Sequence, residues 1–334
     1  MAMLNKVKIV THDKEFTGIL MPESINNKIV LKLDSGYNIG IDKNKIKSIN
    51  VIEKARMKKE RAEKIKKNSR LPKISILHTG GTIASKVDYI TGGVVSRTKP
   101  EEILELIPEI NKIGNFSVKL VSNIFSEDMR FNHYNKLAKE ISTEVKKDVK
   151  GIIILHGTDT MHYSSAALSF MLENIPIPVI FVGAQRSTDR GSSDAELNLI
   201  CASWFIAKTN YSGVCICMHM SMSDNSCLIL PGVKSRKLHT SRRDAFRIVN
   251  DMPIAEVTRD GIIKEGKTKY VVKKGEFKVK LLMEDLKIVF LKSHPHTNVK
   301  EIKNYSNFDG LILEGTGLGH FPINNENKVI FSEI

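Results

Sequence analysis

The chain has 334 residues, 41% of them hydrophobic and 26% charged, an ordinary globular composition that excludes a disordered tail, a collagen-like rod and a small disulfide scaffold. This length predicts about two domains, each able to bury a core, and no stretch approaches the roughly 20 consecutive apolar residues of a bilayer span. The formal net charge is +14, and half of it falls in residues 53–73, which hold 10 basic and 3 acidic side chains.

The opening residues, MAMLNKVKIV, lack the apolar core of a signal peptide and alternate like a strand, so a cytoplasmic protein is expected. Residues 1–52 contain short alternating runs, VKIV, FTGIL, KIVLKL and YNIGI, with Asp34-Ser35-Gly36 as a hairpin turn. Such spacing predicts a small antiparallel β-barrel-like domain. Residues 53–72 are strong helix formers with few large apolar side chains and predict a basic helical linker. A basic stretch of this kind either attracts a polyanion such as nucleic acid or serves as a solvated spacer.

From residue 73 the texture changes. Apolar runs (KISILH, FSVKLV, GIIILHGTD, IPVIFVGA, SGVCICM, LKIVFL, DGLILEGTG) alternate with the amphipathic segments PEEILELIPEI, HYNKLAKEISTEV, SSAALSFMLENI and LNLICASWFIAK. This alternation predicts an α/β fold with a mostly parallel sheet flanked by helices. The expected division is an α/β domain over 73–255 carrying the active site, then the start of a smaller α/β lobe over 256–334. The four cysteines, at 201, 215, 217 and 227, read as buried thiols rather than a disulfide framework or a zinc site.

Ligands of such sheets bind beyond the carboxyl ends of the strands, which directs attention to 78–85, 156–160 and 183–190. In HTGGTIAS, Gly80 and Gly81 permit a sharp turn and close approach of the backbone, and Thr79 and Thr82 place hydroxyls beside it. In LHGTDTMHYSS, Thr158 and Asp159 sit between a strand and a helix. A hydroxyl beside a carboxylate there suits proton transfer or capture of an amino group, although a helix N-cap is the plain alternative. The segment VKSRKLHTSRRDAF supplies lysines and arginines, and a lysine facing the threonines would activate a hydroxyl or hold a carboxylate.

TGGTIAS followed by HGTDTM resembles the bacterial-type asparaginase/glutaminase family. The extra N-terminal 70 residues, DYITGGVVSRTKPEE and RKLHTSRRDAF resemble, more narrowly, the D subunits of archaeal Glu-tRNA(Gln) amidotransferases, over essentially the whole chain. The resemblance implies an asparaginase-like fold with Thr82 as the acyl-accepting nucleophile. It implies Thr158, Asp159 and Lys237 as the second part of the site, with Lys234 as the other choice of lysine. Ser126 and Glu127 of FSEDM would contact the substrate amino acid, backbone around Gly81 or Thr158 would hold the developing oxyanion, and Tyr89 would lie in a loop closing over the substrate.

The resemblance further implies a glutaminase whose ammonia passes to a partner, the E subunit, which binds misacylated Glu-tRNA(Gln) and activates its glutamate with ATP and magnesium. No cofactor or metal is then expected on this chain, and a homodimer within a heterotetramer is. GTGLGH at 315–320 lacks the lysine of a phosphate loop and reads as a strand-end turn. His294 and His296 lack a carboxylate cluster for a metal. Met218, Met220 and Met222 read as core or interface. Family members continue beyond VIFSEI, so an incomplete C-terminal lobe with an exposed sheet edge is expected. Two alternatives stay open: a free-standing L-asparaginase/glutaminase with an N-terminal extension, and a non-catalytic tRNA-binding or assembly module. If residues 53–73 contact tRNA, neutralising Lys58, Lys59, Lys66 and Lys67 will weaken tRNA-linked activity and flatten its salt dependence; an unchanged salt slope would make the segment a spacer.

Overall fold

Five strands open the chain: Asn5–Thr11 (β1), Glu15–Leu20 (β2), Lys28–Leu33 (β3), Asn38–Asp42 (β4) and Ile46–Lys54 (β5). The structure is a computed structural model and describes residues 5–21, 27–33, 38–54, 68–81, 85–87, 94–96, 104, 107–186, 193–266 and 275–322. The five strands pair antiparallel in the order β4-β3-β2-β1-β5. Alternation places Val7, Ile9, Leu31 and Ile41 in one buried cluster, so this segment carries its own small core. Among the described residues β4 and β5 are the two ends of this antiparallel ladder. Residues 55–67 of the basic linker lie outside the described residues. After it, the Asn68 backbone N–H donates to Asn115 Oδ1 (3.0 Å) and Asn115 Nδ2 donates to the Asn68 and Leu71 carbonyls.

The chain divides into two units, Met1–Leu281 and Leu282–Ile334. In the first, Lys73–His78 forms β6, and Ser85–Val87 (β7) pairs antiparallel with Val94–Ser96 (β8). Asn115–Leu120 (β9), Phe131–Val145 (α1), Gly151–Leu155 (β10), Met161–Met171 (α2), Leu172–Glu173 (β11), Pro178–Val182 (β12), Ala195–Lys208 (α3) and Gly213–His219 (β13) follow. Ser226–Pro231 (β14), Ser235–Lys237 (β15), Phe246–Ile248 (β16), Ala255–Thr258 (β17), Ile263–Glu265 (β18) and Lys278–Val279 (β19) complete it. Eight strands make one sheet, ordered β18-β17-β14-β13-β12-β10-β6-β9. It is parallel from β9 to β13 and antiparallel from β13 to β18.

Every residue of β10, β12 and β13 is buried, as expected of a sheet covered on both faces. Alternate residues, Ile153 and Leu155, Ile180 and Val182, Cys215 and Cys217, share one core cluster with α3. Helices α1 and α2 pack on β10 and β13 but contribute nothing to that cluster, so they cover the opposite face. All four cysteines are buried free thiols. The amphipathic reading of α1 holds, with Tyr134, Leu137, Ala138 and Ile141 facing inward. The expected helix PEEILELIPEI lies mostly outside the described residues, and its end is a short turn of 3-10 helix, Pro108–Lys112, where proline suits the first helical position.

Beyond residue 255, β17 and β18 continue the large sheet through their ladder to β14. The second unit holds Ile288–Lys292 (β20), Val299–Lys303 (α4) and Gly310–Glu314 (β21), with β20 and β21 parallel. Leu291 and Ile302 form its core, while Phe290 and Ile312 are exposed. After β21, GTGLGH closes through a Thr316–His320 bridge, a turn. Phe181, fully buried on β12 and meeting His156 edge-on, tests the central sheet. Phe181→Ala will lower unfolding free energy by ~3–5 kcal/mol, read by denaturant titration.

Candidate active site

The parallel strands β6, β10 and β12 are adjacent, so their carboxyl ends open on the same edge of the sheet. The β6 end is tied to β10 where the Thr79 backbone N–H and Oγ1 both donate to the Leu155 carbonyl, at 3.0 and 2.9 Å. Gly81 has φ +88°, a left-handed value that disfavours any side chain. A Cβ on Gly81 would lie 2.5 Å from Gly157 Cα, so the two tips touch backbone to backbone. On the far side of Gly157 sits Ser126, buried in a turn of 3-10 helix at Ser126–Asp128. The Thr160 hydroxyl donates to the Ser126 carbonyl at 2.5 Å and anchors that turn.

The next loop carries the polar centre. Lys237, at the end of β15, donates from Nζ to Thr158 Oγ1 (2.9 Å) and to Asp159 Oδ1 (2.6 Å). The Lys237 side chain is 7% exposed, whereas Asp159 is 67% exposed. The ammonium is therefore largely out of water and relies on these two oxygens, while the carboxylate faces solvent. Thr158 donates in turn to Gln185 Oε1 at 3.2 Å, in the loop after β12. Helix α2 begins at Met161, directly after this tip, and its N-cap Thr160 makes no side-chain cap, so the positive end of the helix adds to the field favouring anions here.

Two buried histidines lie at these strand ends. His156 is fully buried; its Nδ1 is 2.6 Å from the Gly157 carbonyl and its Nε2 is 2.9 Å from Ser164 Oγ. Burial pushes its pKa down to about 4, only partly opposed by the Gly157 carbonyl. A neutral ring beside a carbonyl keeps its proton on Nδ1, leaving Nε2 to accept the Ser164 hydroxyl. His78 accepts the Gly80 N–H on Nδ1 at 2.8 Å, and burial lowers its pKa to about 4 as well. His162, in the first turn of α2, is lowered first by burial and then by Arg236 and Lys237. Among the described residues no group of three or more His, Cys, Asp or Glu is placed to hold a metal ion, and no helix is long and apolar enough to cross a membrane.

The family model “Asparaginase, N-terminal” matches residues 73–269, and that of the “GatD N-terminal domain” matches residues 1–52. The D subunit of glutamyl-tRNA(Gln) amidotransferase from Pyrococcus furiosus is 46% identical over 326 residues, covering 95% of this chain and 74% of its own. The chain belongs to this amidotransferase D-subunit family. The Methanococcus maripaludis relative of the same name is 42% identical over 341 residues, covering 97% of this chain and 81% of its own. Among solved structures, the thermostable L-asparaginase from Thermococcus kodakarensis superposes with a TM-score of 0.67 at 27% identity, covering 78% of this chain and 76% of that one. L-asparaginase I from Vibrio cholerae superposes at 0.68 with 28% identity, covering 79% and 77%.

Of the residues singled out from sequence, the D-subunit fold brings Gly81, Ser126, Thr158, Asp159 and Lys237 to one edge of the sheet. Thr82 and Tyr89 lie outside the described residues. Glu127 is exposed beside Ser126, and its backbone carbonyl accepts from Arg130. Lys234 is exposed, and it is Lys237 that reaches the hydroxyl and the carboxylate. Sequence reasoning missed Gln185. The 183–190 strand end is among the expected ligand positions, but an amide after Gly-Ala carries no motif of its own.

The neutral histidines give a stability test. Each binds a proton in the unfolded chain near pH 6.5 but in the fold only near 4. Their contribution is complete above about 6.5 and is lost as pH falls towards 4, on the order of 3 kcal/mol per residue. Denaturant titrations at pH 7, 5.5 and 4.5 will show stability falling with pH, and His156→Gln will flatten that slope.

Proposed function

We propose that this protein is the glutamine-hydrolysing subunit of the tRNA-dependent amidotransferase that converts misacylated Glu-tRNA(Gln) to Gln-tRNA(Gln). The observation that carries the reading is the largely buried Lys237 ammonium held between Thr158 Oγ1 and Asp159 Oδ1 at the carboxyl edge of an asparaginase-like sheet. Residues 1–52, matched by the GatD N-terminal domain, and relatives named as amidotransferase D subunits over more than nine-tenths of the chain support the amidotransferase over a free-standing asparaginase. A non-catalytic assembly module would have no use for a desolvated lysine poised on a hydroxyl.

On this reading Thr82 Oγ attacks the side-chain carboxamide carbon of glutamine. The hydroxyl proton leaves, the C–N bond breaks, and the amide nitrogen departs as ammonia, leaving an acyl-threonine ester. Water then attacks the ester and releases glutamate, so one glutamine and one water give one glutamate and one ammonia. Lys237 and Thr158 carry protons between hydroxyl, leaving group and water, with Asp159 holding Lys237 and the substrate's ammonium. Backbone N–H groups around Gly81 and Thr158 face the oxyanion, and Ser126, Glu127 and Tyr89 bind the amino-acid end. The ammonia passes to the E subunit, which binds the misacylated tRNA and uses ATP and magnesium to activate its glutamate. This chain holds no cofactor of its own and works in the cytoplasm as a homodimer within a heterotetramer.

Ammonia release from glutamine and asparagine, measured with and without the partner and Glu-tRNA(Gln), tests the proposal. Glutamine turnover that requires both, and drops more than about 100-fold in Thr82→Ala, is the expected result. Vigorous asparagine hydrolysis by the chain alone would overturn it in favour of a free-standing amidohydrolase.

A further inference from the structure

Gln185 sits where the third strand end meets the polar centre. Its Oε1 accepts the Thr158 hydroxyl, the same hydroxyl whose oxygen accepts from Lys237. Thr158 therefore has its one proton directed at Gln185 and a lone pair directed at Lys237. The other amide atom, Gln185 Nε2, is buried and has no hydrogen-bond partner among the described residues. Turning the amide over would only exchange one unpaired atom for the other, because Thr158 engages a single amide atom. A buried donor of this kind is costly to leave unpaired and is rare without a reason.

The backbone beneath Gln185 is held firmly. Both oxygens of Asp194, a fully buried carboxylate, accept the Gln185 N–H at 3.0 Å, and Oδ1 also accepts the Arg186 N–H at 3.1 Å. Fully buried Asn198 donates to Asp194 Oδ2 (3.3 Å) and to the Gly183 carbonyl (3.0 Å), binding the loop to α3. A loop fixed from both sides presents its side chain in one place, the arrangement expected of a preorganised contact rather than of an idle surface amide.

We propose that Gln185 is a positioning and substrate-binding residue. Its Oε1 orients the Thr158 hydroxyl towards Lys237 chemistry, and its unpaired Nε2 donates to a carbonyl or carboxylate oxygen of the bound substrate. This rests on the amide-hydrolysing reading of the site. The two roles separate by substitution. Gln185→Met removes both acceptor and donor in a side chain of similar length. Gln185→Glu keeps an acceptor for Thr158, removes the donor, and adds a carboxylate near Lys237.

The test uses the full-length protein assembled with its partner. It measures kcat and KM for glutamine across pH, and binding of L-glutamine and L-glutamate by calorimetry. Gln185→Met is expected to lower kcat about 10-fold and weaken binding about 10-fold, the scale of a hydrogen bond lost on each side. Gln185→Glu is expected to recover kcat in part, leave binding weak, and move the acid limb of the pH profile, which loss of packing alone would not do. A Gln185→Met enzyme with kcat, KM and calorimetric affinity within twofold of wild type would overturn the proposal. A wild type that hydrolyses neither glutamine nor asparagine would instead overturn the reading beneath it. The calorimetric comparison then still decides Gln185, because equal affinities in wild type and variant refute a substrate contact.

Discussion

The site depends on the contact between Gly81 and Gly157. Two neighbouring parallel strands end side by side, and the chain must leave each one within van der Waals reach of the other's backbone. A side chain at Gly81 would collide with Gly157, and its left-handed φ of +88° would be strained in addition. Because neither tip carries a Cβ there, the two strand ends meet backbone to backbone just before Thr158. Ser126 then closes the far side of Gly157, and Thr160 fastens the Ser126 turn.

Electrostatics follow from that geometry. Lys237 gives up most of its hydration and is stabilised by one hydroxyl and one carboxylate, so its ammonium is a fixed, directional donor rather than a solvated charge. The surrounding histidines do not compete with it. His78 and His156 are held neutral by burial, with pKa values lowered to about 4, and His162 is lowered by burial and by the adjacent Arg236 and Lys237. The start of α2 adds a weak positive field. The result is a site that favours developing negative charge.

The fold is shared with L-asparaginases at 27–28% identity. In this chain it rests on a parallel ladder covered on both faces and the glycine contact at its end. The five-stranded sheet of residues 5–54 has a separate core of Val7, Ile9, Leu31 and Ile41. It can therefore accompany the catalytic unit without altering the ladder.

Much of this was legible in the residues themselves. Fully apolar runs such as GIIIL and VCICM could only be strands buried on both faces, and glycine, threonine and aspartate at strand ends marked the site, because backbone freedom and hydroxyl chemistry are local properties. Which strands neighbour which was not legible, since strand pairing depends on partners far apart in sequence. The resemblance put Lys237 ahead of Lys234, but spacing alone gave no reason for it: the short β15–β16 hairpin determines which side chain reaches Thr158. Gln185 was invisible for the same reason. Its significance lies in an unpaired buried N–H and in a hydroxyl 27 positions earlier, and only the folded chain puts those two facts at one point in space.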